Sequence, residues 1–329
     1  MTKLISIIIL YFFSNFNVFA SETKGVITTI KPIESLVKAV IGNTGNTVSL
    51  IPTEISPHEF RLKPSDVRIL QNSNIVFYIS SHLETGIVKM FKNLPKNIKT
   101  INLMEETGID HLSIRDNEAW ELHDHDDHDK HDAKDEKHDD HDKHDAKDEK
   151  HDDHDKHDTK DDIHIWLDPD NAIKIVRKIN KELSLFFPKN AMIYNDNSSK
   201  LINEIESLKI ELKKELLPIK DKPYIVFHDA YQYFERAFEL NAIGSIALEN
   251  DVASSPKQIS FIKDKILKSQ ATCVFQEPQF DSKLVKTVVE GTKARIGILD
   301  PIGVNILEKE NFYLQLLRNM SKSLKKCLG

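Results

Sequence analysis

Residues 24–42 read KGVITTIKPIESLVKAVIG. The first seven alternate as a strand does, and from Pro32 the apolar side chains Ile33, Leu36, Val37, Val40 and Ile41 recur at helical spacing until Gly42 ends the run. One strand running directly into one helix is a βα unit, and the chain repeats it in both directions from here. Residues 47–51 form a second β-type run that stops at Pro52, residues 64–71 read as a short helix, and residues 75–80 as a buried strand. In the second half, strands at 224–227, 273–276 and 295–299 alternate with helices at 231–240, from Ser255-Pro256 through Leu267, and at 284–291, before a terminal helix ends near Cys327. Such alternation predicts parallel sheets covered by helices on both faces.

Two helical patterns lie between these halves. Asp168-Pro169 opens one, with Ile173, Val176 and Ile179 on its apolar side, and Pro188 closes it. The next covers 189–217 through Leu201, Ile205, Leu208 and Leu212, with no Gly or Pro before Pro218. At 1.5 Å per residue it reaches about 40 Å, enough to bridge two lobes along one side. The predicted fold is α/β with two lobes, each a small, mostly parallel sheet flanked by helices, joined by a long rigid helix. Residues 1–20 are a signal peptide, 21–188 the N-terminal lobe, 189–217 the linking helix and 218–329 the C-terminal lobe.

The whole chain of 329 residues has a formal net charge of −7, which misrepresents both of its parts. Residues 123–162 hold nineteen acids against eight lysines, a charge of −11, so the remainder carries +4. No dense Lys/Arg cluster with interleaved aromatics is present, which excludes nucleic acid as a partner. Within the acidic tract the thirteen residues HDAKDEKHDDHDK at 131–143 recur unchanged at 144–156. A segment this charged reads as a solvated, disordered loop within the N-terminal lobe. Its ten histidines, His123, His125, His128, His131, His138, His141, His144, His151, His154 and His157, add a second reading. They suit several weak metal sites, since a flexible chain must lose entropy to fold around each ion. Capture, buffering or sensing of surplus metal ions are the roles this suggests, with an inert linker as the bland alternative.

Lys3, the mostly apolar run 4–13 and Val18-Phe19-Ala20 before Ser21 have the layout of a secretory signal peptide, with cleavage after Ala20. The run is short for a membrane span, and no later stretch is apolar enough for one. In an exported chain the two cysteines, Cys273 and Cys327, pair as one disulfide.

Five histidines lie outside the tract: His58, His82, His111, His164 and His228. His58 is in the loop after the 47–51 strand, His164 is where order resumes before Trp166-Leu167-Asp168-Pro169, and His228 ends the strand 224–227. Ligands of parallel α/β sheets bind beyond the carboxyl ends of the strands. Three neutral imidazoles gathered there form a nitrogen site suited to Zn²⁺. His82 and His111 lack that setting and read as ordinary polar residues.

Ser56-Pro57-His58-Glu59-Phe60 with Pro64-Ser65-Asp66, and His164-Ile165-Trp166-Leu167-Asp168-Pro169, resemble the metal-binding class of periplasmic solute-binding proteins of ABC importers. Phe227-His228-Asp229-Ala230-Tyr231, the segment 271–280 (ATCVFQEPQF) and Leu299-Asp300-Pro301-Ile302-Gly303 are similar to its zinc-uptake type from Gram-negative bacteria. The resemblance covers essentially the mature chain. It implies a metal in the interlobe cleft, held by His58 and His164 from the first lobe and His228 from the second. It also implies a periplasmic monomer that hands Zn²⁺ to the membrane permease of a zinc importer, and a Cys273–Cys327 bridge pinning the terminal helix. Manganese-type relatives have a carboxylate where His228 stands, so a histidine there favours zinc over a manganese receptor. Zinc-type relatives can carry an acid just before the first histidine; here that residue is Pro57, and Glu59 follows instead. The fourth ligand stays open among Glu59, Asp300 and water. A periplasmic zinc buffer or metallochaperone is the alternative function. A zinc hydrolase, with Glu59 or Asp300 as base, lacks any HExxH-type helix, so the chain is read as a receptor and not an enzyme.

Overall fold

The structure is a computed structural model that describes residues 22–115, 120, 161–247, 256–307 and 311–329. The signal-peptide reading of residues 1–20 and the ten tract histidines lie outside these residues.

The first half runs β1 (Thr23–Thr28), α1 (Lys31–Ile41), β2 (Gly45–Ser49), α2 (Pro64–Gln71), β3 (Ile75–Tyr78), α3 (Thr85–Phe91), β4 (Lys99–Asn102) and α4 (Leu103–Glu106). The middle holds α5 (Pro169–Phe186) and α6 (Ala191–Leu216). The second half runs β5 (Tyr224–Val226), α7 (Gln232–Phe238), β6 (Ala242–Ser245), α8 (Pro256–Ser269), β7 (Cys273–Gln276), α9 (Lys283–Val289), β8 (Arg295–Ile298) and α10 (Phe312–Leu328). Each half forms a four-stranded sheet, in the orders β2-β1-β3-β4 and β6-β5-β7-β8, and every pairing is parallel. This is the two-lobed α/β architecture that the alternation of the sequence implies. No described helix is long and apolar enough to cross a membrane.

The central strands β1, β3, β5 and β7 are largely buried because helices cover the faces of each sheet. In β5 and β7 successive side chains enter different cores. Tyr224, Val226, Cys273 and Phe275 join the large core that also contains Val26, Leu36, Ile75 and Leu317. Ile225 and Val274 join a smaller one with Ile262, Ile266, Val285 and Val288 of α8 and α9. The period of two thus makes one face of the second sheet continuous with the first lobe.

Between the lobes, α6 buries Tyr194, Leu201, Ile205, Leu208, Leu212 and Leu216 along one stripe. It packs on α5 and α1 on one side and on α10 and α7 on the other. Its 26 residues span about 39 Å. Cys273 and Cys327 are bonded, tying the start of β7 to the end of α10 across a sequence separation of 54. Gly297 of β8 lets these elements approach, since a Cβ there would stand 2.4 Å from the Phe275 ring.

Two residues assigned to the solvated tract belong to the folded body. Asp161 bridges to Ser113 in an antiparallel pair, and Asp162 is only 3% exposed. Charge density hid them: a buried acid beside a polyacidic run looks like its continuation until its partner is known.

Candidate metal centre

Each histidine is held by the backbone at a chain reversal. His58 sits in the loop beyond β2, where buried Ser56 and Pro57 precede it and Glu59 N–H donates to Ser56 O at 3.1 Å. His164 is the residue before a 3₁₀ turn, Ile165–Leu167, and Asp168-Pro169 then starts α5. The Asp168 side chain accepts from Asp170 N–H at 2.8 Å, with proline in the first turn, where its missing N–H costs nothing. His228 follows β5, and Glu277 follows the neighbouring β7. Strand order reverses between β5 and β7, so this pair stands at the crevice expected of an open parallel sheet.

The three rings converge. Centroids are 5.6 Å apart for His58 and His164, 5.9 Å for His58 and His228, and 5.3 Å for His164 and His228. One nitrogen from each lies within 4.8 Å of the others, and among the described residues this is the group of potential ligands that meets. His164 and His228 are buried and His58 half-buried.

Two of the rings have a carboxyl group at Nδ1. His164 Nδ1 lies 2.8 Å from Asp162 Oδ1, which also accepts the His164 backbone N–H at 2.9 Å. His228 Nδ1 lies 2.6 Å from Glu277 Oε1. A carboxylate on Nδ1 makes that nitrogen the donor and puts the lone pair on Nε2, the arrangement that orients and strengthens a metal-binding imidazole. Burial, reinforced by the neighbouring imidazoles, holds His58 and His164 well below the ordinary histidine pKa. They are therefore neutral and ready to bind at pH 7. Burial pushes Asp162 the other way, to about 7, against the backbone hydrogen bond from His164. Three imidazole nitrogens with carboxyl groups behind two of them form a donor set that fits Zn²⁺.

The remaining candidates are not part of the three-histidine group. Glu59 is exposed. Asp300 Oδ1 accepts from the backbone of Ile302 at 3.1 Å and Gly303 at 2.7 Å, and Oδ2 from Val304 at 2.6 Å. Gly303 makes this turn possible at φ +90°. His111 bridges Asp161 Oδ2 at 2.8 Å and Met104 O at 3.1 Å, and His82 is exposed. Neither joins the cluster. Asp162, Glu277, Trp166 and Gln279 are the site's neighbours that sequence reading passed over. Glu277 had a signal, an acid directly after a strand, whereas Asp162 was masked by the tract.

Pro57, Leu83, Trp166, Phe280, Pro301 and Ile302 enclose the cluster, leaving a cavity of about 10 Å³. Contacts from both lobes close it: Trp166 Nε1 donates to Pro301 O at 2.9 Å, and Tyr313 Oη to Trp166 O at 2.9 Å. Nearby, Arg115 pairs with Asp229 and with Glu235, at 2.7 Å for the latter, and its guanidinium lies 3.3 Å from the Trp120 ring centroid. A larger groove of about 220 Å³, lined by Lys31, Glu34, Ser35, Lys38, Ala39, Asn311 and Phe312, gathers no comparable set of ligands.

The family described as zinc-uptake complex component A, periplasmic (ZnuA), matches residues 26–327. The high-affinity zinc uptake system protein ZnuA of Brucella suis biovar 1 is 42% identical over 311 residues, covering 94% of this chain and 93% of the relative. The protein of the same name from Haemophilus ducreyi is 34% identical over 303 residues, covering 92% and 93%. Among solved structures, a crystal structure of ZnuA superposes with a TM-score of 0.72 at 21% identity, covering 94% of this chain and 100% of that one. A Mn-bound periplasmic metal-binding protein from Candidatus Liberibacter asiaticus gives 0.71 at 17%, covering 93% and 100%. At these identities the structures share the fold; the family follows from the sequence match, and the chain belongs to the ZnuA family of periplasmic zinc-uptake components.

Proposed function

We propose that this protein is a periplasmic zinc receptor that takes Zn²⁺ onto His58, His164 and His228 in the interlobe cleft and delivers it to the permease of an ABC importer. The observation that carries this reading is the convergence of three imidazole nitrogens within 4.8 Å, two of them backed by buried carboxylates. Neutral nitrogen donors suit zinc better than manganese, which prefers oxygen. Family membership favours a receptor over a buffer, and the enclosed cleft suits transport without catalysis. The protein acts as a monomer after removal of residues 1–20, with residues 189–217 linking lobes 21–188 and 218–329. The tract 123–160 takes further ions weakly.

Replacing His58 or His228 by Ala should weaken zinc binding, in competition with a chelator, by more than the roughly 10–100-fold typical of losing a group that only orients a ligand. Wild-type affinity in both variants would refute the site.

A further inference from the structure

Gln279 lies in the loop after β7, and its side chain lines the same cavity as the three histidines. Its Nε2 donates to Thr53 O at 3.3 Å, in the loop that carries His58, and to Asp300 Oδ1 at 3.2 Å in the second lobe. Both partners are acceptors, so the NH₂ group must face them and the carboxamide orientation is determined. The opposite atom, Oε1, is buried and accepts no hydrogen bond among the described residues. A buried carbonyl oxygen without a donor is unfavourable and calls for a physical reason.

Three neutral imidazoles leave one position of a tetrahedral zinc site to fill. Glu59 is exposed, and the Asp300 carboxylate already accepts three backbone N–H groups. The cavity among the three rings is only about 10 Å³, which leaves no room for a bulky fourth ligand. Water on Zn²⁺ is acidic and a strong donor, so it needs an acceptor at hand.

We propose that Gln279 Oε1 accepts a hydrogen bond from a water molecule that completes the zinc coordination, which makes Gln279 a positioning residue for the fourth ligand. The inference rests on the three-histidine zinc reading. Its consequence is that the fourth ligand is exchangeable and held by a neutral group. A receiving site can then displace it before any histidine leaves the metal. Because the same carboxamide ties Thr53 to Asp300, holding this water and joining the lobes depend on one side chain.

The test uses the full mature chain, loaded with Co²⁺ for its d–d spectrum and with Zn²⁺ for chelator competition. Gln279→Met keeps the length of the side chain and removes the acceptor. It should shift the cobalt bands and lower zinc affinity about tenfold or more, the fold-change of one hydrogen bond to a charged donor. Gln279→Glu keeps an acceptor oxygen and loses both Nε2 bonds, so it should retain more affinity than the Met variant. Unchanged cobalt bands in Gln279→Met, unchanged zinc affinity there, or equal losses in two folded variants would each overturn the proposal. If His228→Ala leaves the cobalt spectrum of the otherwise wild-type chain as it was, the three-histidine reading has failed instead. Far-UV circular dichroism confirms that each variant is folded.

Discussion

Asp162 should set the pH response of the centre more than His58 or His164 does. Burial keeps His58 and His164 neutral well below their ordinary pKa, so zinc expels no proton from them near neutrality. Asp162, raised to about 7, is different. Without metal it binds a proton as the pH falls through 7, while Zn²⁺ on His164 polarises the Nδ1–H toward Asp162 and favours its ionised form. The metal-bound state therefore holds fewer protons below pH 7, and affinity rises with pH up to about 7 and levels off above it. Competition titrations between pH 5.5 and 8 should trace that curve, and Asp162→Asn should flatten its rise between pH 6 and 7. A flat wild-type profile across 5.5–7.5 would contradict it. Sequence placed the three histidines at strand ends and chain reversals but did not reveal Asp162 as their partner, because its contact with His164 depends on where the chain re-enters the fold.

Short strands and long helices differ in how plainly the sequence announces them. The runs IVFY, YIV and CVFQ of β3, β5 and β7 are apolar because both faces of a covered parallel sheet are buried. The edge strands β4 (KTIN) and β6 (AIGS) carry no such signal; their neighbours in space hold them extended. α3, which opens on Thr85-Gly86, and the four-residue α4 likewise carry no clear periodic signal. α10 is anchored covalently, and the closed loop of 54 residues is worth about 4 kcal/mol in the chain-entropy account. Replacing both Cys273 and Cys327 by Ser should lower the calorimetric Tm by about 10 °C for a body of this size. Zinc affinity should change little, since the bridge lies at the far end of β7 from Glu277. A fall of under about 2 °C would show that the bridge adds little to stability.

At the scale of the molecule, the lobes share one core through α6 and α10 and are tied again around the cleft. Arg236 reaches Asp168 at 2.9 Å, Arg115 binds Asp229 and Glu235, and Trp166 binds Pro301. A helix packed on both lobes permits small adjustments of the cleft more readily than wide hinge opening. The acidic tract lies in sequence between Trp120 and Asp161, both of which the body holds. Trp120 O accepts from Ser245 Oγ at 2.8 Å, and Asp161 is bound to His111. Deleting residues 123–160 should thus leave one tight zinc site per chain and remove only weak additional stoichiometry, as read by metal analysis after dialysis and by calorimetry. Loss of the tight site would tie the tract to the centre and favour a buffering role.

Periodicity, punctuation and residue type determined the α/β class, the bridging helix and the three histidines, because these depend on local spacing and on where parallel strands end. The tertiary structure decided which atoms meet. Asp162 and Glu277 stand behind the rings, Asp300 is committed to its own turn, and Gln279 faces the cavity from between two loops. Those assignments involve partners from 2 to 226 positions apart and depend on burial, which turns an ordinary acid or amide into a group that must find its counterpart.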